Sequence, residues 1–294
     1  MTTDEDILSN IGGSSSAQSL VQIIENTDLL AEEEPQIMQH SHYMDTDRVI
    51  EVLCDKQNSF KCFSINIQSL NAKHNQLDIY MQHFNEKNCN FDAICIQESW
   101  IGPDNNISLL QMDNYNLISQ PYSCSSHGGL AIYLKKDYKY DVLQINESES
   151  KTWEYQFIRV HLNDKRNVII GNVYRPPRDL LENYNTFIVE LGRVLRDLGG
   201  HVIISGDFNI DLLKIREKAI FNEFLELFLT NSFIPKITLP TRLTRNNGTL
   251  IDNQFCKISK HLTYSLSAVI LCDLSDHSTI FYLLRIHIIK TIYK

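Results

Sequence analysis

Six polar interruptions of apolar runs carry the chemistry of this sequence. Asn66 lies inside Ser64-Ile-Asn-Ile, and Gln97-Glu98 closes Ala93-Ile-Cys-Ile. Tyr174 ends Ile169-Ile-Gly-Asn-Val and is followed by Arg175-Pro-Pro. Asp207 and Asn209 follow Val202-Ile-Ile-Ser-Gly, Asp252 sits in Thr249-Leu-Ile-Asp-Asn, and Asp276-His277 separates two apolar stretches. Burying a carboxylate is costly unless it is paired or binds a metal. Taken singly, an Asp at a strand end is a turn former or helix cap, and a His beside an Asp is a satisfied pair. Six interruptions drawn from one acid, amide and imidazole set point instead to a common site.

The chemistry that uses such a set is phosphodiester hydrolysis. A carboxylate such as Glu98 holds a hard divalent cation, and the amide oxygen of Asn66 suits the same ion. The metal offsets charge on the reacting phosphate. A histidine activates or orients water, and a second carboxylate fixes its tautomer. Tyr174 and Asn209 can donate hydrogen bonds to non-bridging oxygens. Asp207 and Asn209 are two apart, so in extended chain they face one side. Asp276 and His277 are adjacent and must lie on a loop if both serve one pocket.

These residues need strands to carry them. Short apolar runs rich in β-formers predict strands over Cys62–Ile67, Phe91–Ile96, Tyr115–Ser119, Gly129–Leu134, Tyr155–Leu162 and Val168–Tyr174, then Val202–Ser205, Leu250–Phe255, Ala268–Leu271 and Thr279–Ile286. Leu181, Tyr184, Phe187, Leu191, Leu195 and Leu198 recur at helical spacing, and Gly199-Gly200 stops that helix. Leu70, Leu77, Tyr80, Met81 and Phe84 predict a second helix, and Phe221, Phe224, Leu225 and Phe228 a third. Many strands with few helices, lacking strict alternation, predict an α/β (α+β) sandwich of mixed sheets.

The 294 residues carry 27 basic and 36 acidic side chains, a net charge of −9, which at first sight speaks against a polyanion-binding protein. The charge is segregated. Residues 1–58 hold 12 carboxylates against Arg48 and Lys56, a net −10, so residues 59–294 carry +1. The expected organisation is an acidic, disordered tail over 1–58, one domain over 59–286 and a short tail over 287–294. Within the tail, Leu20, Ile23, Ile24 and Leu30 fall near helical spacing. The seven cysteines show no zinc-site spacing, and the opening Met-Thr-Thr-Asp-Glu-Asp lacks the pattern of a secretory signal. Buried reduced thiols in an intracellular, nuclear protein are expected, with no membrane-spanning run.

The ordered series Ile65-Asn-Ile, Ile96-Gln-Glu-Ser-Trp, Val173-Tyr-Arg-Pro-Pro, Ser205-Gly-Asp-Phe-Asn, Leu250-Ile-Asp and Leu274-Ser-Asp-His resembles the endonuclease/exonuclease/phosphatase superfamily. Asn66-Ile-Gln-Ser-Leu, Gly128-Gly-Leu-Ala-Ile-Tyr and Pro240-Thr-Arg resemble the apurinic-type endonuclease domain of non-LTR retrotransposons of the jockey and CR-one sort. The resemblance spans about residues 60–285 and implies a four-layer sandwich and Mg²⁺ or Mn²⁺ dependence. It implies Glu98 as principal metal ligand with Asn66 and Asp276 nearby, and His277 as general base or phosphate-orienting group held by Asp252. Asp207 would position water or act as an acid, Asn209 would bind phosphate, and Tyr174 would contact it near the leaving group. Arg175, Thr241 and Arg242 are expected on the DNA phosphates. Lys135, Lys136 and Lys139, with Arg178 and Arg245, are further basic candidates, although the lysine cluster reads equally as a solvated strand end. The activity implied is DNA nicking that leaves a 3′-hydroxyl, from a truncated element, since no reverse transcriptase follows. Alternatives are a phosphatase or phosphodiesterase of the same fold, and a silent remnant or binding module.

Overall fold

The computed structural model describes residues 41–56, 58–122, 127–147, 151–163, 166–177, 181–244, 247–257 and 262–286, together with Leu20 and Gln22. In chain order, β1 (His42–Met44), α1 (Thr46–Asp55), β2 (Phe60–Asn66), α2 (Leu70–Glu86), β3 (Ala93–Gln97), β4 (Tyr115–Gln120) and β5 (Leu130–Lys135) come first. Next are β6 (Lys139–Glu147), β7 (Glu154–Asn163), β8 (Arg166–Tyr174), α3 (Leu181–Asp197), β9 (His201–Asp207) and α4 (Ala219–Thr230). The chain ends with β10 (Ile234–Pro235), β11 (Arg242–Thr244), β12 (Asn247–Thr249), β13 (Asp252–Lys257), β14 (Leu262–Ile270) and β15 (Thr279–Ile286).

Two mixed sheets face each other. One has the order β1-β14-β15-β2-β3-β5-β4 and the other β10-β13-β9-β8-β7-β6, while β11 and β12 form a separate hairpin. β1 is parallel to β14, β2 to β3 and β8 to β9, and every other pair is antiparallel. Between the sheets, Cys62, Ala93, Cys95, Ile132 and Tyr282 pack on Ile158, Ile170, Ile203 and Cys256. The outer face of the first sheet is covered by α1 and α2 through Val49, Leu53, Leu77, Met81 and Phe84. The outer face of the second is covered by α3 and α4 through Phe187, Leu191, Phe224 and Phe228. The four layers agree with the sandwich expected from the sequence.

The capping follows local chemistry. The Asp45 carboxylate accepts from Arg48 N at 2.8 Å and starts α1, and Ser69 caps α2. Gly200, at φ +85°, takes the left-handed turn that follows α3.

The boundary drawn by charge lies elsewhere. Residues 42–55 form β1 and α1, and β1 extends the first sheet by pairing with β14. Ser41 Oγ accepts from Thr238 N at 2.6 Å, and the Tyr43 hydroxyl donates to Pro240 O at 3.0 Å. The carboxylates of this stretch lie on the outer side of α1, where Asp47 and Glu51 are exposed, while Val49 and Leu53 face inward. Charge therefore disguised an amphipathic helix. Of the tail's predicted apolar stripe, Leu20 is fully buried against the core around α3 and α4, and Ile23, Ile24 and Leu30 lie outside the described residues.

Candidate functional site

Five strands of the two sheets repeat one pattern along their length. β2 places Cys62, Ser64 and Asn66 on the same face, β7 Ile158, Gln156 and Glu154, and β8 Ile170, Asn172 and Tyr174. β9 places Ile203, Ser205 and Asp207 there, and β13 Cys256, Gln254 and Asp252. Each step is two residues, so each triplet shares a face. The register aligns the strands: Asn66 opposes Gln97, Asn172 opposes Ser205, Tyr174 opposes Asp207, and Asp207 opposes Asp252. The inter-sheet space thus grades from an apolar layer, through a buried polar layer, to a charged layer at one end.

The middle layer is bonded across the sheets. Gln97 Nε2 donates to Asn172 Oδ1 at 2.6 Å and to Ser64 Oγ at 3.0 Å. Asn172 Nδ2 donates to the carbonyls of Ile96 and Ala131, both at 3.0 Å, and Gln254 Nε2 donates to Ser205 Oγ at 3.0 Å. These bonds fix how the strands stand relative to one another immediately beneath the charged layer.

At the charged end, Asn66 Nδ2 donates to Glu98 Oε1 and to Asp207 Oδ2, both at 2.8 Å, tying the two sheets together. Its Oδ1 is buried with no hydrogen-bond partner among the described residues. His277 Nδ1 lies 3.1 Å from both Asp252 oxygens and 3.9 Å from Asp207 Oδ2. Asp252 in turn accepts from Thr241 Oγ1 at 2.6 Å. Asp207 Oδ1 accepts from Asn209 N at 2.9 Å, and Asn209 Nδ2 donates to Arg175 O at 2.8 Å. Asp207, Asp252 and His277 each offer a ligand atom within 4.8 Å of the others.

Local backbone geometry aims these groups. Glu98 and Asn209 take positive φ values of 48° and 49°, which non-glycine residues adopt at a cost and which tertiary bonds must hold. Ser69 N to Glu98 O at 2.9 Å, and Trp100 N to Gly128 O at 2.9 Å, hold the first turn. Gly206 permits the close parallel approach of β9 to β8, since a Cβ there would meet Val173 O at 2.3 Å. Gly128 leaves room for the Glu154 carboxylate, which a Cβ would meet at 2.6 Å.

The charges are strongly coupled. Burial, reinforced by the neighbouring Asp252 carboxylate, pushes Asp207 up to about 7 despite His277 nearby. Burial works to lower His277, but the Asp252 carboxylate on Nδ1, with Asp207 and Asp276, overcomes it and raises the imidazole to about 9. Burial, then the Glu98 and Asp207 carboxylates, hold Tyr174 far above the usual phenol range, so it remains a neutral donor. The site is therefore a pocket of excess buried negative charge, with one imidazolium partly offsetting it.

A divalent cation fits this arrangement. The donors are hard oxygens, the buried Asn66 Oδ1 lacks a partner, and Asp207 takes up a proton near neutrality in the cation's absence. Glu98 and Asn66 are the residues placed to hold it, with the Asp207 carboxylate beside them.

Three sequence expectations are placed otherwise. Asp276, expected as a metal ligand, is half-exposed and ion-paired with Arg242 at 2.6 Å, and a guanidinium on that oxygen competes with a cation. That bond and His277 outweigh burial and hold its carboxyl below the ordinary range. Thr241, expected on phosphate, is fully buried and orients Asp252. Arg175, expected on DNA, is 6% exposed and turned inward, with its guanidinium on Phe208 O and over the Tyr184 and Phe187 rings. Arg242 stays at the rim beside His277. Lys135 lies at the opposite end of the sheet near Asp92, and Arg178 and Arg245 lie outside the described residues.

Sequence reading missed Glu154 and the polar layer. Glu154 is fully buried, and its Oε2 accepts from Gly129 N at 2.6 Å. Its signal was present: Glu154-Tyr-Gln-Phe-Ile puts two polar residues on the face that later carries Ile158. Asn253 Oδ1 accepts from Lys236 N and Ile237 N at 3.2 Å and pins the chain beside β13.

Residues 63–277 match the Endonuclease/Exonuclease/phosphatase family. The chain belongs to this family. Its members are phosphodiester hydrolases, and the two-sheet frame is the family's fold. No curated protein matches the sequence. Among solved structures, the endonuclease domain of TRAS1, a telomere-specific non-LTR retrotransposon, is similar with a TM-score of 0.57 at 15% identity, covering 78% of this chain and 100% of that one. The AP endonuclease LMAP of Leishmania major gives 0.64 at 13% identity, covering 92% and 99%. D. rerio TDP2, complexed with a single-stranded DNA product, gives 0.54 at 14% identity, covering 77% and 98%. At these identities the likeness is one of fold.

Proposed function

We propose that this protein is a divalent-metal-dependent endonuclease, using Mg²⁺ or Mn²⁺, that hydrolyses DNA phosphodiester bonds and leaves a 3′-hydroxyl. The observation that carries the reading is the convergence of Asn66, Glu98, Asp207, Asp252 and His277 at one end of the inter-sheet space, with a buried amide oxygen left for a cation. The bound metal would supply a Lewis acid for a non-bridging phosphate oxygen. The chain's own groups divide the remaining work. Asp207, as carboxylate, takes the proton of the attacking water, and the bonds from Asn66 Nδ2 and Asn209 N hold that carboxylate in place. His277, held by Asp252 and Thr241, presents Nε2 to the phosphate as a charged donor. Tyr174 stays protonated beside Glu98 and donates toward the leaving side.

DNA as substrate is supported by the similar folds of the retrotransposon endonuclease domain and the AP endonuclease. The same likeness supports a retrotransposon-type nicking enzyme. The test is relaxation of supercoiled plasmid by the full chain. Nicking is expected with Mg²⁺ and absent in EDTA, and His277→Ala should slow it by roughly 10²–10⁴. Equal nicking by His277→Ala and the wild type sinks the reading. Activity on a phosphate monoester or RNA panel with none on DNA moves it to another substrate of the same chemistry.

A further inference from the structure

The rim of the site carries an aromatic feature that the hydrolytic chemistry does not use. Trp100 is half-buried, two residues past Glu98, and its Nε1 donates to Glu98 Oε2 at 3.3 Å. Its ring meets that of exposed His127 with centroids 5.0 Å apart and planes at 87°, so the two make a right-angled corner at the mouth. The corner is held stiffly. Trp100 has φ 53°, its N–H donates to Gly128 O at 2.9 Å, and its neighbours Ser99 and Ile101 bond to Gly129 O and Ser99 Oγ. A core tryptophan needs no such frame: Trp153 is fully buried against Tyr155 and Phe187. A rigid, partly exposed indole loses little entropy on contact, and a flat π-face is what an unstacked nucleobase binds.

We propose that Trp100, with His127, forms a nucleobase-binding subsite that stacks a base flanking the scissile phosphate and so favours strands locally opened at the cut. The proposal rests on the nuclease reading above. The subsite lies beside the metal-site carboxylate, so a stacked base sets the strand's position relative to the hydrolytic groups. It is also blind to base identity, because every base has a π-face.

The chain has two tryptophans, and only Trp100 is partly exposed, so indole emission reports the subsite without turnover. Full-length protein in EDTA is titrated with a short single-stranded oligodeoxynucleotide and with the same backbone lacking bases. Base-bearing DNA should quench the emission and base-free DNA should not, and Trp100→Phe should lose the response. In nicking assays Trp100→Leu should raise KM roughly tenfold, within the range of one lost base stack, while Trp100→Phe keeps KM within about twofold. Loss of the indole N–H from Glu98 is common to both variants and is read in kcat. Emission from buried Trp153 reports that each variant is folded. Equal quenching by base-free DNA, or an unchanged KM in Trp100→Leu, overturns the subsite while leaving the nuclease intact. Failure of the wild type to nick or bind any DNA overturns both.

Discussion

The two ends of the inter-sheet space are built from the same strands and are chemical opposites. At one end Cys62, Ile158, Ile170, Ile203 and Cys256 interlock as an ordinary core. Four residues further along each strand, on the same face, stand Asn66, Glu154, Tyr174, Asp207 and Asp252. The first end stabilises the fold through apolar burial, about 25 cal/mol per Å². The second holds carboxylates out of water and stabilises little or nothing until a cation arrives. The polar layer between them lets the two coexist: Gln97 and Asn172 hydrogen-bond across the gap, Gln254 reaches Cys62 O across it and Ser205 within its own sheet, and together they hold the charged end in register. The difference teaches that stability and chemistry are segregated along the strands, not between domains or loops.

Asp207→Asn should break the contrast most sharply. It removes the group that takes the water's proton, so nicking should fall by roughly 10²–10⁴. It should also stabilise the metal-free protein at pH 8. The folded pKa of about 7 is raised above the ordinary 3.8, so this group's contribution is fully present below about 3.8 and is lost as pH rises through 7. At pH 8 a neutral isostere recovers on the order of 3 kcal/mol, read by urea unfolding in EDTA. An unstable Asp207→Asn protein would contradict the claim that this end is held against its own preference.

Asn172→Leu attacks the layer between. It strands Gln97 Nε2 and the carbonyls of Ile96 and Ala131, so unfolding free energy should drop by about 3–4 kcal/mol. A drop no larger than that of a one-methyl core deletion would mean that the layer does not link the two ends.

The imidazole gives a smaller, pH-dependent effect. His277 is raised from 6.5 to about 9, so its contribution is complete below about 6.5 and is lost as pH rises through 9. Wild type should lose up to about 3 kcal/mol between pH 6 and 10 in EDTA relative to Asp252→Asn, in which the raised pKa collapses. Parallel pH profiles would remove Asp252 as the cause. At the apolar end, Ile203→Val should cost about 1 kcal/mol and leave nicking unchanged, confining that end to stability.

Much of this was legible in the sequence because the alternation of strands exposes its exceptions. Asp207, Asp252, Tyr174 and Asn66 stood out as polar groups ending apolar runs, and the structure brings them together with Glu98 and His277. Ser64, Asn172 and Gln254 did not stand out, because a neutral polar residue in a strand also fits the solvent face, and only the packing of a second sheet makes it buried. Thr241, Arg175 and Asp276 turn otherwise than expected, because sequence adjacency to a site does not say which way a side chain turns. Arg175 turns inward onto two rings of α3, and Asp276 is taken by Arg242. Net charge misled at residues 42–55, where the period of α1 was the better guide.

Cation binding at the charged end tests the central claim most directly. Calorimetric titration of Mn²⁺ into the full chain at pH 7 should show one principal site with proton release, as the cation's charge displaces the Asp207 proton into the buffer. Glu98→Gln and Asn66→Ala should each weaken binding roughly 10- to 100-fold without unfolding the protein. Wild-type affinity retained in both variants, or no binding by the wild type, would contradict a metal site at this end of the sheets.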